Sequence, residues 1–174
     1  MKALKKLFAL ALACAALFAL CACGNGEGGS GEGENGGASV KGETQEWGNI
    51  TVFVPEGNSL LGGSQLDAET PDSAWILLDE NNTHYYKFDI VEKETAENSV
   101  ATTKEVNADS EGAKDFTIEA GGVTWTGFAY VYGGSCDCFQ LYGEVGGKCL
   151  LVGAAWHAYD SDETAAVLGS IKLK

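Results

Sequence analysis

The sequence predicts an α+β domain, an antiparallel β-sheet of hairpins flanked by helices. Three observations lead there. Short alternating apolar runs separated by turn residues recur from residue 49 to residue 156, a stretch of helix formers interrupts them at 92–106, and an acid-capped helical segment follows the last hairpin. Hairpins build antiparallel sheet, and helices that do not alternate strictly with strands separate this class from α/β.

The elements follow in chain order. Asn49 to Gly57 (NITVFVPEG) alternates apolar and polar residues, and Pro55-Glu56-Gly57 ends the strand. Trp75 to Asp79 and His84 to Val91 read as a hairpin turning at Glu80-Asn81-Asn82-Thr83. Glu92 to Val106 is predicted helical, with Ala96, Val100 and Thr103 at helical spacing on a thin apolar stripe. Asp115 to Tyr132 forms a second hairpin around Ala120-Gly121-Gly122. Phe139 to Trp156 forms a third, with Gly146-Gly147 as a two-residue turn. That turn pairs Val145 with Lys148, Gly143 with Leu150, Leu141 with Val152 and Phe139 with Ala154, which places the apolar pairs on one face. The other face carries Cys138, Gln140, Tyr142 and Leu151, a mixed surface suited to partial cover by a helix. Asp160, with Glu163 three residues on, reads as a helix N-cap. Ala165, Ala166, Val167 and Leu168 supply the buried side, Gly169 is expected to end the helix, and Ser170 to Leu173 to form a short last strand.

The chain has 174 residues, a formal net charge of −14 and no arginine. All acids lie beyond Cys23, so from that residue onward eight lysines face 25 acids, a net of −17. A surface this acidic, without the planar guanidinium that grips phosphate, excludes nucleic acid as a partner.

Residues 1–22 begin with Lys2, Lys5 and Lys6 and continue as an apolar run from Leu7 to Ala22. That length suits a signal peptide and falls short of the ~20 residues of a spanning helix. Leu20-Cys21-Ala22-Cys23 resembles the bacterial lipobox, with an aliphatic residue at −3, a small one at −1 and then the cysteine to be modified. The resemblance implies that Cys23 carries diacylglycerol through a thioether and becomes the first mature residue. The alternative is an ordinary signal peptide ending near Ala22. Residues 24–37 hold eight glycines, three glutamates and nothing to bury, so they are expected to form a disordered tether. From Gly24 to Gln45 such a chain spans roughly 26 Å on average. The expected organisation is a leader at 1–22, a lipidated cysteine with its tether at 23–45, and one α+β domain at 46–174.

Three segments together, Gly48 to Gly57 (GNITVFVPEG), Gly122 to Tyr132 (GVTWTGFAYVY) and Phe139 to Lys174, resemble the PsbP-like fold. The shared features are an early strand ending in Pro-Glu-Gly, a late meander of strands and an acid-capped helix closing in Ser-Ile-Lys-Leu. That group includes small bacterial lipoproteins and an extrinsic protein of photosystem II. The resemblance implies an antiparallel sheet flanked by helices and a role in binding or assembly. The chain lacks the basic docking character of the photosynthetic branch, and no ligand or partner residue is carried over.

Catalytic, cofactor and metal signatures are not legible. Cys136, Cys138 and Cys149 are an odd number, and Cys-Asp-Cys lacks a second pair at zinc-ligand spacing. In the predicted register Cys138 and Cys149 lie six positions apart, roughly 20 Å, which forbids a bridge. Cys136 and Cys138 could bridge locally or stay reduced, and His157 could face Cys136. His84 sits near a turn. No G-x-S-x-G elbow or phosphate loop is present, and capping accounts for Asp160, Asp162 and Glu163. Phe128, Tyr130 and Tyr132 share one parity on their strand and make a candidate aromatic binding strip, unless a helix covers them. The expected function is a lipid-anchored, extracytoplasmic module without cofactor or catalysis, partnered by the membrane through its lipid and by a protein or small molecule. The alternative is an envelope hydrolase with an unrecognised site.

Overall fold

The computed structural model describes residues 40–62, 71–77 and 83–174. The leader, Cys23, most of the tether and most of the turn at 80–83 lie outside the described residues. The domain is α+β, as expected. Strands β1 (Gly42–Trp47), β2 (Ile50–Pro55) and β10 (Lys172–Leu173) form a three-stranded sheet ordered β1-β2-β10. Strands β3 (Ser59–Gly62), β4 (Ser73–Leu77), β5 (Tyr85–Val91), β6 (Glu111–Ala120), β7 (Val123–Tyr132), β8 (Cys136–Val145) and β9 (Lys148–Ala155) form a seven-stranded antiparallel sheet ordered β3-β4-β5-β9-β8-β7-β6. Helix α1 (Lys93–Asn107) connects β5 to β6, and α2 (Asp162–Ser170) precedes β10.

The β8–β9 register is the expected one, from Val145 opposite Lys148 to Phe139 opposite Ala154. Gly146 and Gly147 have φ of 58° and 80°, the left-handed values that a two-residue hairpin turn needs at both positions. β5 and β7 extend the pattern, setting Phe88 opposite Val152 and Gly127 opposite Leu141.

The inner face of the large sheet therefore presents Tyr86, Phe88, Trp125, Phe139, Leu141, Leu150 and Val152. Ile50, Val52 and Val54 of β2 and Val167 and Leu168 of α2 close over them. Burial of each large apolar side chain contributes about 1.5–3 kcal/mol. The exposed Lys104–Asp115 pair and the Lys93–Glu97 pair contribute ~0–1 kcal/mol each, so the inner face holds the fold. Gly143 is part of this packing. A Cβ there would lie 2.7 Å from Cε3 of Trp125 and 2.8 Å from Cγ1 of Val123.

The structure departs from the sequence reading at four places. β1 begins at Gly42, inside the segment read as tether; its sequence GETQEW is an edge strand with little to bury, so it lacks the alternation that marks a strand. β3 escaped notice because it has only four residues. In α2 the N-cap is Ser161 rather than Asp160, because the Ser161 hydroxyl accepts from the Thr164 N–H at 3.1 Å. Gly169 does not end that helix, which runs to Ser170. There the Ser170 hydroxyl accepts from the Phe53 N–H and donates to the Val167 carbonyl, both at 2.7 Å, tying α2 to β2.

Gly143→Ala forces the Trp125 indole or its strand to move and should destabilise the domain by about 1–3 kcal/mol. Urea unfolding should show a lower midpoint at unchanged slope.

Candidate functional site

Residues directly opposite one another in a sheet point to the same face. On the outer face of the large sheet, Tyr85, Ala155, Cys138 and Tyr130 form one row, with Cys136 and Tyr132 at the strand ends beside it. The next row holds Trp75, Lys87, Gly153, Gln140 and Phe128. Helix α1 lies over the middle of this face. Its Ser99 and Thr103 hydroxyls donate to the Gln140 side-chain oxygen at 3.2 and 2.7 Å. A shallow cavity of about 450 Å³ runs along the helix, lined by Val100, Phe116 and Tyr142 among others. A larger, polar one of about 880 Å³ opens beside Cys149 and Glu144.

The three aromatics singled out in the sequence differ in exposure. Phe128 is buried, Tyr130 is half-buried against the cysteine row, and Tyr132 is 68% exposed. Phe128 and Tyr130 stack with centroids 6.3 Å apart. Their neighbours across the sheet were not legible from one strand's parity. Trp75 meets Tyr85 edge to face at 5.0 Å, and the Lys87 ammonium lies 5.4 Å from the centre of the Trp75 ring. The Trp75 indole N–H is buried with no acceptor among the described residues. Burial, then the neighbouring Cys138, pushes the Tyr130 phenol up to about 12. Burial likewise raises Tyr85.

The cysteines separate as expected. Cys138 lies opposite Ala155, and Cys149 opposite Glu144 at the far end of the same hairpin. Cys136 and Cys138 are neighbours, with sulfurs 3.4 Å apart. His157 does not join them. β9 ends at Ala155, and Trp156, at φ 66°, turns the chain while its N–H donates to the Asp137 carbonyl at 2.7 Å. His157 thereby reaches the inner side. It stacks on Tyr86 at 4.0 Å, and its Nδ1 lies 3.1 Å from the Glu163 carboxylate.

That second cluster is the buried polar feature that sequence reading missed, since it joins residues from β5, the loop after β9 and α2. The Tyr86 hydroxyl donates to Glu163 at 3.1 Å and lies 3.0 Å from the Thr164 hydroxyl. Thr164 in turn donates to the Ala158 carbonyl at 2.8 Å. Burial keeps the Tyr86 phenol protonated, far above its ordinary range. The hydrogen bond from His157 holds the Glu163 carboxyl below its usual range, against the opposing effect of burial. The cluster docks the start of α2 onto β5. Among the described residues, no group of three or more His, Cys, Asp or Glu side chains is placed to hold a metal ion.

The fold is similar to the solution structure of cyanobacterial PsbP (CyanoP) from Synechocystis sp. PCC 6803, with a TM-score of 0.46 and 10% identity over 83% of this chain and 98% of that chain. No protein-family model matches the sequence, and no curated protein does.

A carboxyl whose folded pKa is depressed stabilises the fold above its unfolded value, near 4.3, and loses that contribution as the pH falls through the folded value. Glu163→Gln should therefore cost about 1 kcal/mol at pH 7, a figure reduced for partial exposure. The gap between wild type and variant should narrow as the pH falls below the unfolded value and through the lower folded one, as read by thermal unfolding across pH.

Proposed function

We propose that this protein is a membrane-anchored, extracytoplasmic lipoprotein whose α+β domain serves as a non-catalytic binding or assembly module. The observation that carries the anchor is the order Leu20-Cys21-Ala22-Cys23 at the end of an apolar run, followed at once by a glycine- and glutamate-rich spacer. A diacylglycerol on Cys23 gives two acyl chains, and each buried methylene contributes about 0.8 kcal/mol, enough for stable anchoring. The spacer then holds a domain of net negative charge away from acidic headgroups.

The binding role rests on the outer sheet face. Trp75, Tyr85 and Tyr130 are half-buried on that face and Tyr132 at its edge is exposed, which leaves part of an aromatic row open to solvent. Aromatic side chains with a polar tip are enriched at contact surfaces. The titratable cluster at His157 and Glu163 is engaged in joining secondary-structure elements.

Intact mass of the protein from its native host tests the anchor. The expected species begins at Cys23 and carries acyl mass, and Cys23→Ala should leave the precursor unprocessed or release the domain from the membrane fraction. A wild-type chain with an unmodified thiol at Cys23 refutes the reading.

A further inference from the structure

We propose that Cys136 and Cys138 are a redox-labile modification site, closing to an intrastrand disulfide by exchange with an external disulfide and reopening with thiols. The two sulfurs lie 3.4 Å apart on the outer face of β8, and both side chains are buried, at 6% and 9% exposure. No other described cysteine competes. Cys149 sits six positions along the hairpin, roughly 20 Å away.

The backbone geometry sets the character of the bond. Two residues apart on a strand puts the Cα atoms about 6.6 Å from each other. Disulfides accept Cα separations of roughly 4.4–6.8 Å, so the bridge can form, but at the stretched end of that range. A bond formed there stores strain and is easily reduced, the mark of a labile couple rather than a structural staple. Cys136 is the first residue of β8, directly after a turn in which Gly133 and Gly134 take φ of 62° and 75°. The backbone can yield at that end without disturbing Leu141 and the inner core. A metal is the poorer reading of the same pair: two sulfurs are too few for a closed zinc site, and His157 is engaged on the other face.

The step balances with a low-molecular-weight or protein disulfide as oxidant. The Cys136 thiolate attacks one sulfur of that disulfide, forming a mixed disulfide and expelling the first thiolate. Cys138 then loses its proton and attacks the Cys136 sulfur, expelling the second. Two protein thiols are oxidised to one disulfide, one external disulfide is reduced to two thiols, and the two protons leave with the released groups. Burial, then the adjoining Cys136, pushes the Cys138 thiol up to about 12, so loss of its proton limits the second step, which the 3.4 Å sulfur separation makes intramolecular.

The test uses the full-length protein treated with oxidised glutathione, quenched with N-ethylmaleimide and mapped by peptide mass spectrometry. Cys136 and Cys138 should lose both alkylation sites together, in a peptide lighter by two hydrogens than its reduced form, while Cys149 stays alkylated. Reduced glutathione in excess should restore both sites. Cys138→Ser should stop at the glutathione adduct on Cys136. Full alkylation of both cysteines after oxidant, a persistent glutathione adduct in the wild type, or a bridge that resists reduced glutathione would each overturn the proposal. The wild-type measurements stand even if the variant fails to fold.

Discussion

The two-residue turn at Gly146–Gly147 is the constraint on which the large sheet depends. With both glycines in the left-handed region, Val145 must face Lys148, and every later pair of β8 and β9 follows. Side chains alternate along a strand, so a slip of one residue would carry Leu141, Leu150 and Val152 outward and bring Gln140 and Cys138 into the core. β5 and β7 take their register from these two strands, setting Phe88 against Val152 and Gly127 against Leu141. Gly143 then leaves the space that Trp125 fills.

The two faces of that sheet are held by different physics. The inner face is apolar and closed by β2 and α2. The outer face is covered by α1, of whose residues only Ala96 is fully buried, and which reaches the sheet through hydroxyl bonds to Gln140. Such hydrogen bonds contribute about 0.5–1.5 kcal/mol each, less than a buried leucine or phenylalanine. Elements with few buried apolar contacts open at lower free energy than core strands. The row of Tyr85, Cys138 and Tyr130 lies on that more weakly covered side. Its chemistry is separated by the sheet itself from the His157–Glu163 cluster on the inner side.

Trp156 enforces this separation. Its positive φ turns the chain after β9, so that Ala155 still points outward beside Cys138 while His157 swings inward onto Tyr86. Straight continuation of the strand past Ala155 would have kept His157 in register near the start of β8, which is where the sequence alone places it. A bulky residue in this region of φ carries strain, balanced here by the Trp156 N–H bonded to the Asp137 carbonyl.

Local patterning determined the α+β class, both helices to within a residue or two, and the β8–β9 register pair by pair. Each of these follows from periods of two or 3.6 residues and from glycines that only one turn geometry accepts. Tertiary structure alone decided the rest. β1 became a strand because β2 offered an edge, although GETQEW has almost nothing apolar to alternate. Ser161 displaced Asp160 as cap because Thr164 is drawn into the core beside Tyr86. Tyr85 was set in one row with Cys138 because β5 pairs with β9 as well as with its sequence neighbour β4. Parity along a strand says which residues share a face; which strand lies alongside, and which helix covers it, depends on long-range packing that no local spacing encodes.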